Sequence, residues 1–292
     1  MGNCSCVHNF RKQIAYEEMM KEQRSDTRID MSLVLPEDCI SQIISYTSPQ
    51  DACRAALVSS FLREAADSDA VWEKFLPSDV KDIISQSSSP PSAYLNSLSK
   101  KRLYHHLCDH PIILGNGTLS FQLEKQTGKK CFMVGARDLS VRGGEATGPI
   151  QSVPDSRFSE VAELKLLQYY RIKGELETKI LSPKTTYVAY LVFKLGKTRG
   201  GREYIPVQLR VYFERNKNER GRSVYLDPVQ HRRPSQKDGG NGWMQAEMGE
   251  FFNEDGDDGP VFCSLQETGE LTTSYSVQCS LLVEGIEFRP KF

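Results

Sequence analysis

The chain changes its hydrophobic period once, near Ile112, and that change constrains its fold more than any other feature. Upstream, apolar residues recur at helical spacing: Ile40, Ile43 and Ile44 sit three to four apart, and Leu103 and Leu107 repeat the interval. Downstream the period is two. Ile205, Val207, Leu209, Val211 and Phe213 alternate with Gln208, Arg210, Tyr212 and Glu214, and Tyr275, Val277, Cys279, Leu281 and Val283 repeat the pattern. Each run predicts a strand with one wet face. Tyr187 to Leu195 is apolar on both faces and predicts a central strand, while Gly-containing stretches at 196–201, 239–242 and 255–259 supply turns. The expectation is a small all-α module followed by an all-β antiparallel sandwich.

Local signals divide the chain further. Residues 1–31 carry little apolar pattern and predict a disordered arm. Residues 32–78 form the helical module. Pro36 suits a first helical position, Ser48 is placed to cap a helix that opens with Pro49 and Asp51, and Ala52, Ala55, Ala56 and Val58 supply its packing side. Asp69 caps a last segment bearing Val71, Trp72, Phe75 and Leu76, which Pro77 closes. Residues 79–111 read as a linker, with a flexible serine joint at Ser85–Ser92 and a basic connector helix ended by Pro111. Residues 112–292 are the β domain. Three helices in so short a module bury little by themselves, so a partner is expected to complete them.

Charge and cysteine content exclude some functions. With 37 basic and 38 acidic residues the net charge is -1, so no global basic field exists to hold a phosphate backbone and nucleic acid is not an expected partner. Lacking a run of about 18 apolar residues or a secretory leader, the chain is expected in cytoplasm and nucleus. There Cys39, Cys53, Cys131, Cys263 and Cys279, each within an apolar segment, read as small buried hydrophobes. Met1-Gly2-Asn3-Cys4-Ser5-Cys6 opens like an N-myristoylation signal, with Cys6 where Ser or Thr is preferred. Two readings stand: Gly2 acylated and Cys4 or Cys6 palmitoylated to hold the chain at the plasma membrane, or an ordinary polar start.

No catalytic constellation emerges. The 5 histidines lie mostly in the arm and connector, and Gly-x-Ser-x-Gly, His-Glu-x-x-His and Walker patterns are absent. Neither Cys4, Cys6 and His8 nor His105, His106, Cys108 and His110 has the paired spacing of a closed zinc site, so no metal or cofactor is expected. The basic residues Arg199, Arg202, Arg215, Lys217, Arg220, Arg222, Arg232 and Arg233 read as solvated loops able to attract an acidic partner.

Leu35-Pro36-Glu37-Asp38-Cys39-Ile40-Ser41-Gln42-Ile43-Ile44, Ser48-Pro49-Gln50-Asp51, Val58-Ser59 and Trp72 together resemble the F-box motif. The resemblance implies docking to the small Skp-type adaptor of a cullin ubiquitin ligase, with Leu35, Pro36, Ile40, Ile43, Ile44, Val58 and Trp72 as interface or module-core positions. Gly128-Lys129-Lys130-Cys131-Phe132-Met133, Ser156-Arg157-Phe158, Gly242-Trp243-Met244, Gly249-Glu250-Phe251-Phe252-Asn253 and Glu284-Gly285-Ile286-Glu287-Phe288-Arg289-Pro290 look like the plant phloem protein 2, or Nictaba lectin-like, domain. The pairing is similar to the F-box B group of plant phloem proteins and implies a jelly-roll-like sandwich. It also implies a substrate-recognition adaptor whose β domain takes a protein or glycoprotein target.

Lectins of that family carry tryptophans after an Ala-Arg-Asp-Leu-Ser segment, where this chain has Val141-Arg142-Gly143-Gly144-Glu145 and no aromatic residue. They also often place Trp at the position of Gln122. A sugar-stacking aromatic contributes about 0.5–1.5 kcal/mol beyond area burial, so these losses weaken the alternative of a lectin for N-acetylglucosamine-containing glycans. Trp243, Glu247 and Glu250 remain as candidate glycan or target contacts, with two solvent-facing carboxylates on a strand edge as the other reading of Glu247 and Glu250, and the loop tips at 142–150, 196–202 and 232–242 as candidate recognition loops.

Overall fold

The computed structural model describes residues 35–142, 153, 155–165, 170–195, 206–216, 221–226, 242–267 and 280–291. The chain divides into two compact units, residues 1–71 and 72–292. The expectations placed on the arm, on residues 275–279 and on most of the loop tips lie outside the described residues.

The first unit contains α1 (Glu37–Ser45), α2 (Pro49–Ala55) and α3 (Ser60–Asp67). Pro36 stands just before α1 as its N-cap, one place earlier than expected. The Asp51 N–H donates to Ser48 Oγ at 3.1 Å while Pro49 needs no donor, which starts α2. The Leu62 N–H donates to Ser59 Oγ at 3.2 Å and starts α3, a helix that the apolar pattern did not reveal. Ser41 Oγ donates to the Ala65 carbonyl at 3.0 Å, and Ile40, Ile44, Ala52, Ala65 and Ala66 are buried. That bond turns the buried stripe of α1 onto Ile40, Ser41 and Ile44, so Ile43 is left 56% exposed. Val58 lies beyond α2 and is 73% exposed, rather than packing under it. Cys39 is also exposed and Cys53 half-buried, unlike the buried Cys131 and Cys263.

Helix α4 (Asp69–Phe75) follows, with Asp69 in its first turn instead of at the cap position before it, and the Ala70 N–H donates to Ser68 Oγ at 3.3 Å. In the second unit Trp72 is buried, its ring 5.2 Å from Tyr104 and 5.0 Å from His105. Both partners belong to the helix Lys100–Asp109. Next come α5 (Val80–Ser85), β1 (Ser87–Ser89), α6 (Ser92–Asn96) and α7 (Lys100–Asp109). The serine stretch is thus not a loose joint. It pairs antiparallel with β2 (Ile112–Leu114), and Ser88 Oγ donates to the Ile113 carbonyl at 3.1 Å. A short edge strand held by backbone and hydroxyl bonds has no hydrophobic period, so composition alone reads it as linker.

The remaining strands are β3 (Leu119–Leu123), β4 (Lys130–Gly135), β5 (Ser140–Arg142), β6 (Ala162–Lys165), β7 (Arg171–Glu177), β8 (Thr185–Leu195), β9 (Pro206–Phe213), β10 (Arg222–Tyr225), β11 (Met244–Asn253), β12 (Pro260–Glu267) and β13 (Ser280–Pro290). Among the described residues they form two antiparallel sheets. The larger runs β1-β2-β3-β4-β13-β8-β11, with β6 also paired to β13, and the smaller runs β10-β9-β12-β7-β5. Strand β8 is central, between β13 and β11. The sheets meet through aromatic rings: Phe251 of the larger sheet lies 5.8 Å from Phe213 of the smaller, and contacts Tyr187 and Phe288 in its own.

Beside the irregularity between Ser87 and Ser89 at its edge, two bulges in long strands shape the larger sheet. Between Glu247 and Gly249 the register of β11 slips, and Gly249 takes φ +151 with Val211 so close that a Cβ would lie 3.2 Å from it. Between Val283 and Gly285 the register of β13 slips as well, which leaves buried Glu284 on the outer face. There it accepts from the Arg157 N–H at 2.5 Å and Ser156 Oγ at 3.1 Å. The segment around Phe158 and Val161 is thereby held down over Met133, Val192 and Trp243, forming a second, smaller core outside the sandwich.

Candidate functional site

Two features of the described surface are candidates for binding, one in each unit. In the first, Ile43, Tyr46, Leu57 and Val58 are 56%, 79%, 80% and 73% exposed. They are four of the seven large apolar side chains that stand exposed among the described residues, and all fall in the last turn of α1 or in the turns flanking α2. Water contact there is unfavourable by roughly 25 cal/mol per Å² of apolar surface, so a partner that covers these side chains gains directly.

The positions expected to dock the adaptor thus separate. Pro36, Ile43 and Val58 are exposed and Leu35 is half-buried. Ile40 and Ile44 are spent on the module's own packing, and Trp72 is enclosed by Phe75, Tyr104 and His105 with Lys101 Nζ 5.5 Å above its ring. These three are core residues and offer no side chain to a partner. Tyr46 and Leu57 lie outside any periodic run; their only signal in the sequence is bulk and apolarity, Tyr46 just before the Ser48-Pro49 turn and Leu57 just past the end of α2.

In the second unit, a groove of about 290 Å³ opens on the outer face of the larger sheet, against the end of α7. Its floor is a charged network. Arg157 Nη1 donates to Glu287 at 2.9 Å and to Ser120 Oγ at 3.3 Å. Arg289 Nε donates to the other Glu287 oxygen at 2.9 Å, and its Nη2 donates to Gln245 at 2.8 Å. The Arg289 guanidinium also lies 4.8 Å from the Tyr190 ring. Gln122 Nε2 donates to the Cys108 carbonyl at 2.6 Å and closes the groove on the α7 side. The Glu287 carboxylate, only 3% exposed, is tolerated because two guanidiniums satisfy it. The same groups form a rigid polar floor fixed before any ligand arrives. Burial, and next the Glu247 carboxylate, raise the Tyr190 phenol above its ordinary value, and burial pushes the Cys108 thiol up to about 12.

Of the expected target contacts, Glu247 and Glu250 are exposed on β11, opposite Tyr190 and Val188 of β8. Glu250 pairs with Lys291 and raises its ammonium pKa through that hydrogen bond, while Glu247 lies 4.0 Å from Arg222. Trp243 is different: it is 2% exposed, its Nε1 donates to the Asp155 carbonyl at 3.0 Å, and Lys194 Nζ caps the ring at 4.6 Å. It is a core residue and presents no face to a sugar. Gly2, Cys4 and Cys6 lie outside the described residues, as do the expected recognition loops apart from Arg142 and Gly242.

A family model described as "F-box-like" matches residues 33–78, and one described as "Phloem protein 2" matches residues 129–290. Two Arabidopsis thaliana proteins are similar along most of the chain. Putative F-box protein PP2-B2 is 39% identical over 88% of this chain and 82% of its own length. F-box protein PP2-B10 is 38% identical over 87% of this chain and 92% of its own. Among solved structures, a family 35 carbohydrate binding module from Clostridium thermocellum overlays with TM-score 0.34 at 9% identity, over 54% of this chain and 96% of that one.

Proposed function

The chain belongs to the F-box proteins that carry a phloem protein 2 domain, and on that premise we propose that it is a non-catalytic substrate receptor of a Skp-cullin-F-box ubiquitin ligase. The helical unit binds the Skp-type adaptor, and through it the cullin, while the β domain holds the target. The chain performs no covalent step itself. It raises the local concentration of the target at the ligase and so converts a bimolecular encounter into an intramolecular one.

The observation that carries this reading is the exposure of Ile43, Tyr46, Leu57 and Val58 in a unit whose described residues bury few large side chains of their own. The polar groove over Arg157, Glu287 and Arg289 is the candidate seat for a target. A glycan ligand gains no support from the placement of Trp243, whose ring is buried.

The test is capture of a plant Skp-type adaptor by the wild-type chain and by Ile43→Asp/Leu57→Asp. Both side chains are exposed, so the variant folds. Capture by the wild type and loss in the variant are the expected result; failure of the wild type to capture the adaptor overturns the reading.

A further inference from the structure

We propose that the outer face of the five-stranded sheet is a binding trough for a short peptide segment rich in anionic side chains. The trough, of about 480 Å³, lies on the opposite sheet from the groove described above. Register builds it. Lys173 of β7 stands beside Ser140 of β5 on one side and Ser264 of β12 on the other, and Ser264 in turn stands beside Arg210 of β9. One pair further along, Arg142 of β5 stands beside Arg171 of β7, and Arg171 beside Gln266 of β12. Small serines therefore form the floor of one row, and cations rise from both rows.

Strand spacing fixes the reach of these charges. Neighbouring strands lie about 4.8 Å apart and alternate residues of one strand about 6.8 Å apart, so Lys173, Arg210, Arg142 and Arg171 fall within the span of an extended four- to five-residue segment. Three of them are steered. Lys173 Nζ lies 4.2 Å from the Phe262 ring and the Arg210 guanidinium 4.8 Å from the Tyr212 ring, and the two rings stack at 5.6 Å. Arg171 Nη2 is oriented by Gln266 at 2.7 Å. Among the described residues Arg142, Arg171 and Lys173 make no ion pair, so their charge is available to a ligand.

The charge pattern also limits the ligand's shape. Asp138 and Glu175 line the same trough, and a uniformly anionic polysaccharide laid along it would meet them. A short acidic cluster followed by uncharged or basic residues meets only the cations. The inference rests on the receptor reading, since it names the class of segment that a target would carry.

The experiment is fluorescence anisotropy on the full chain, at low and at physiological salt. The probes are a labelled decapeptide carrying Glu-Asp-Glu-Glu-Asp, the same peptide with Gln and Asn in those places, one with phosphoserines there, and a heparin octasaccharide. The acidic or the phosphorylated peptide should bind and weaken as salt rises, the two arms separating carboxylate from phosphate as the source of charge. Lys173→Glu/Arg210→Glu should weaken binding at least tenfold, and Lys173→Gln/Arg210→Gln by less. Unchanged affinity in the charge-reversal variant, no binding of either anionic peptide, or tighter binding of the octasaccharide than of both overturns the proposal. Adaptor capture by the same variants is measured alongside: retained capture with failed peptide binding sinks the trough alone, whereas a wild type that captures no adaptor sinks the receptor reading.

Discussion

Replacing Trp243 with Ala is expected to destabilise the β domain by about 3–5 kcal/mol, the range for removing a large aromatic from a packed core. The structure supports the full range. The ring is 2% exposed and packs with Met133, Phe158, Val161 and Val192. It also receives the Lys194 ammonium at 4.6 Å, an interaction contributing on the order of 0.5–1 kcal/mol. The Nε1 bond to the Asp155 carbonyl adds about 1 kcal/mol, but its loss leaves an acceptor at an exposed residue that water can satisfy. Trp243→Phe keeps most of the ring and loses the N–H, so about 1–2 kcal/mol is expected. The chain has 2 tryptophans, Trp72 and Trp243, and both lie in the second unit, so Trp72 fluorescence still reports its unfolding in either variant. With a urea slope of about 2 kcal/mol/M, the midpoint should fall by roughly 1.5–2.5 M for Ala and 0.5–1 M for Phe. A midpoint for Trp243→Ala equal to the wild type's, together with an altered glycan-array profile, would refute the assignment of Trp243 to the core.

Three further outcomes are expected. Glu284→Ala removes the acceptor of the Arg157 N–H and Ser156 Oγ and should lower stability by roughly 2–3 kcal/mol, read by the same urea titration, because the freed donors are part-buried. The Ser48 hydroxyl, and next Arg54, hold the Asp51 carboxyl below its ordinary value. A depressed folded-state pKa stabilises above the unfolded value near 3.8 and is lost as pH falls below it, so Asp51→Asn should flatten the acid limb of helical-unit stability followed by circular dichroism. Finally, Cys39 should react with a thiol reagent at pH 8 in the native chain, while Cys131 and Cys263, whose thiols burial pushes well up, should react only after unfolding.

Much of the fold was legible because its signals are local. The cap at Ser48-Pro49, the alternation through Val207, Leu209 and Phe213, and the doubly apolar run of β8 each announce an element within a few residues. What escaped depends on contacts across the chain. Which side of α1 is buried is decided by the reach of Ser41 to Ala65, twenty-four positions away, so periodicity could not separate Ile43 from Ile44. Trp243 invited a surface role because tryptophan is the usual sugar platform; the segment that buries it is pinned by a bulge that only strand pairing reveals. The charged groove was foreshadowed by Ser156-Arg157-Phe158 and by Glu287 and Arg289 inside a strand pattern. Nothing in the sequence says that these residues meet.

The pairing of Ser87–Ser89 with β2 bears on where the β domain can be cut. A truncation at residue 129, where the family match starts, would strip away β1, β2, β3 and α7 together and bare the edge of β4 to pairing with other chains. Limited proteolysis should accordingly spare the Ser-Pro stretch, whose hydroxyls are tied to Ile113 and Pro90, and the smallest fragment that stays soluble should start no later than Trp72.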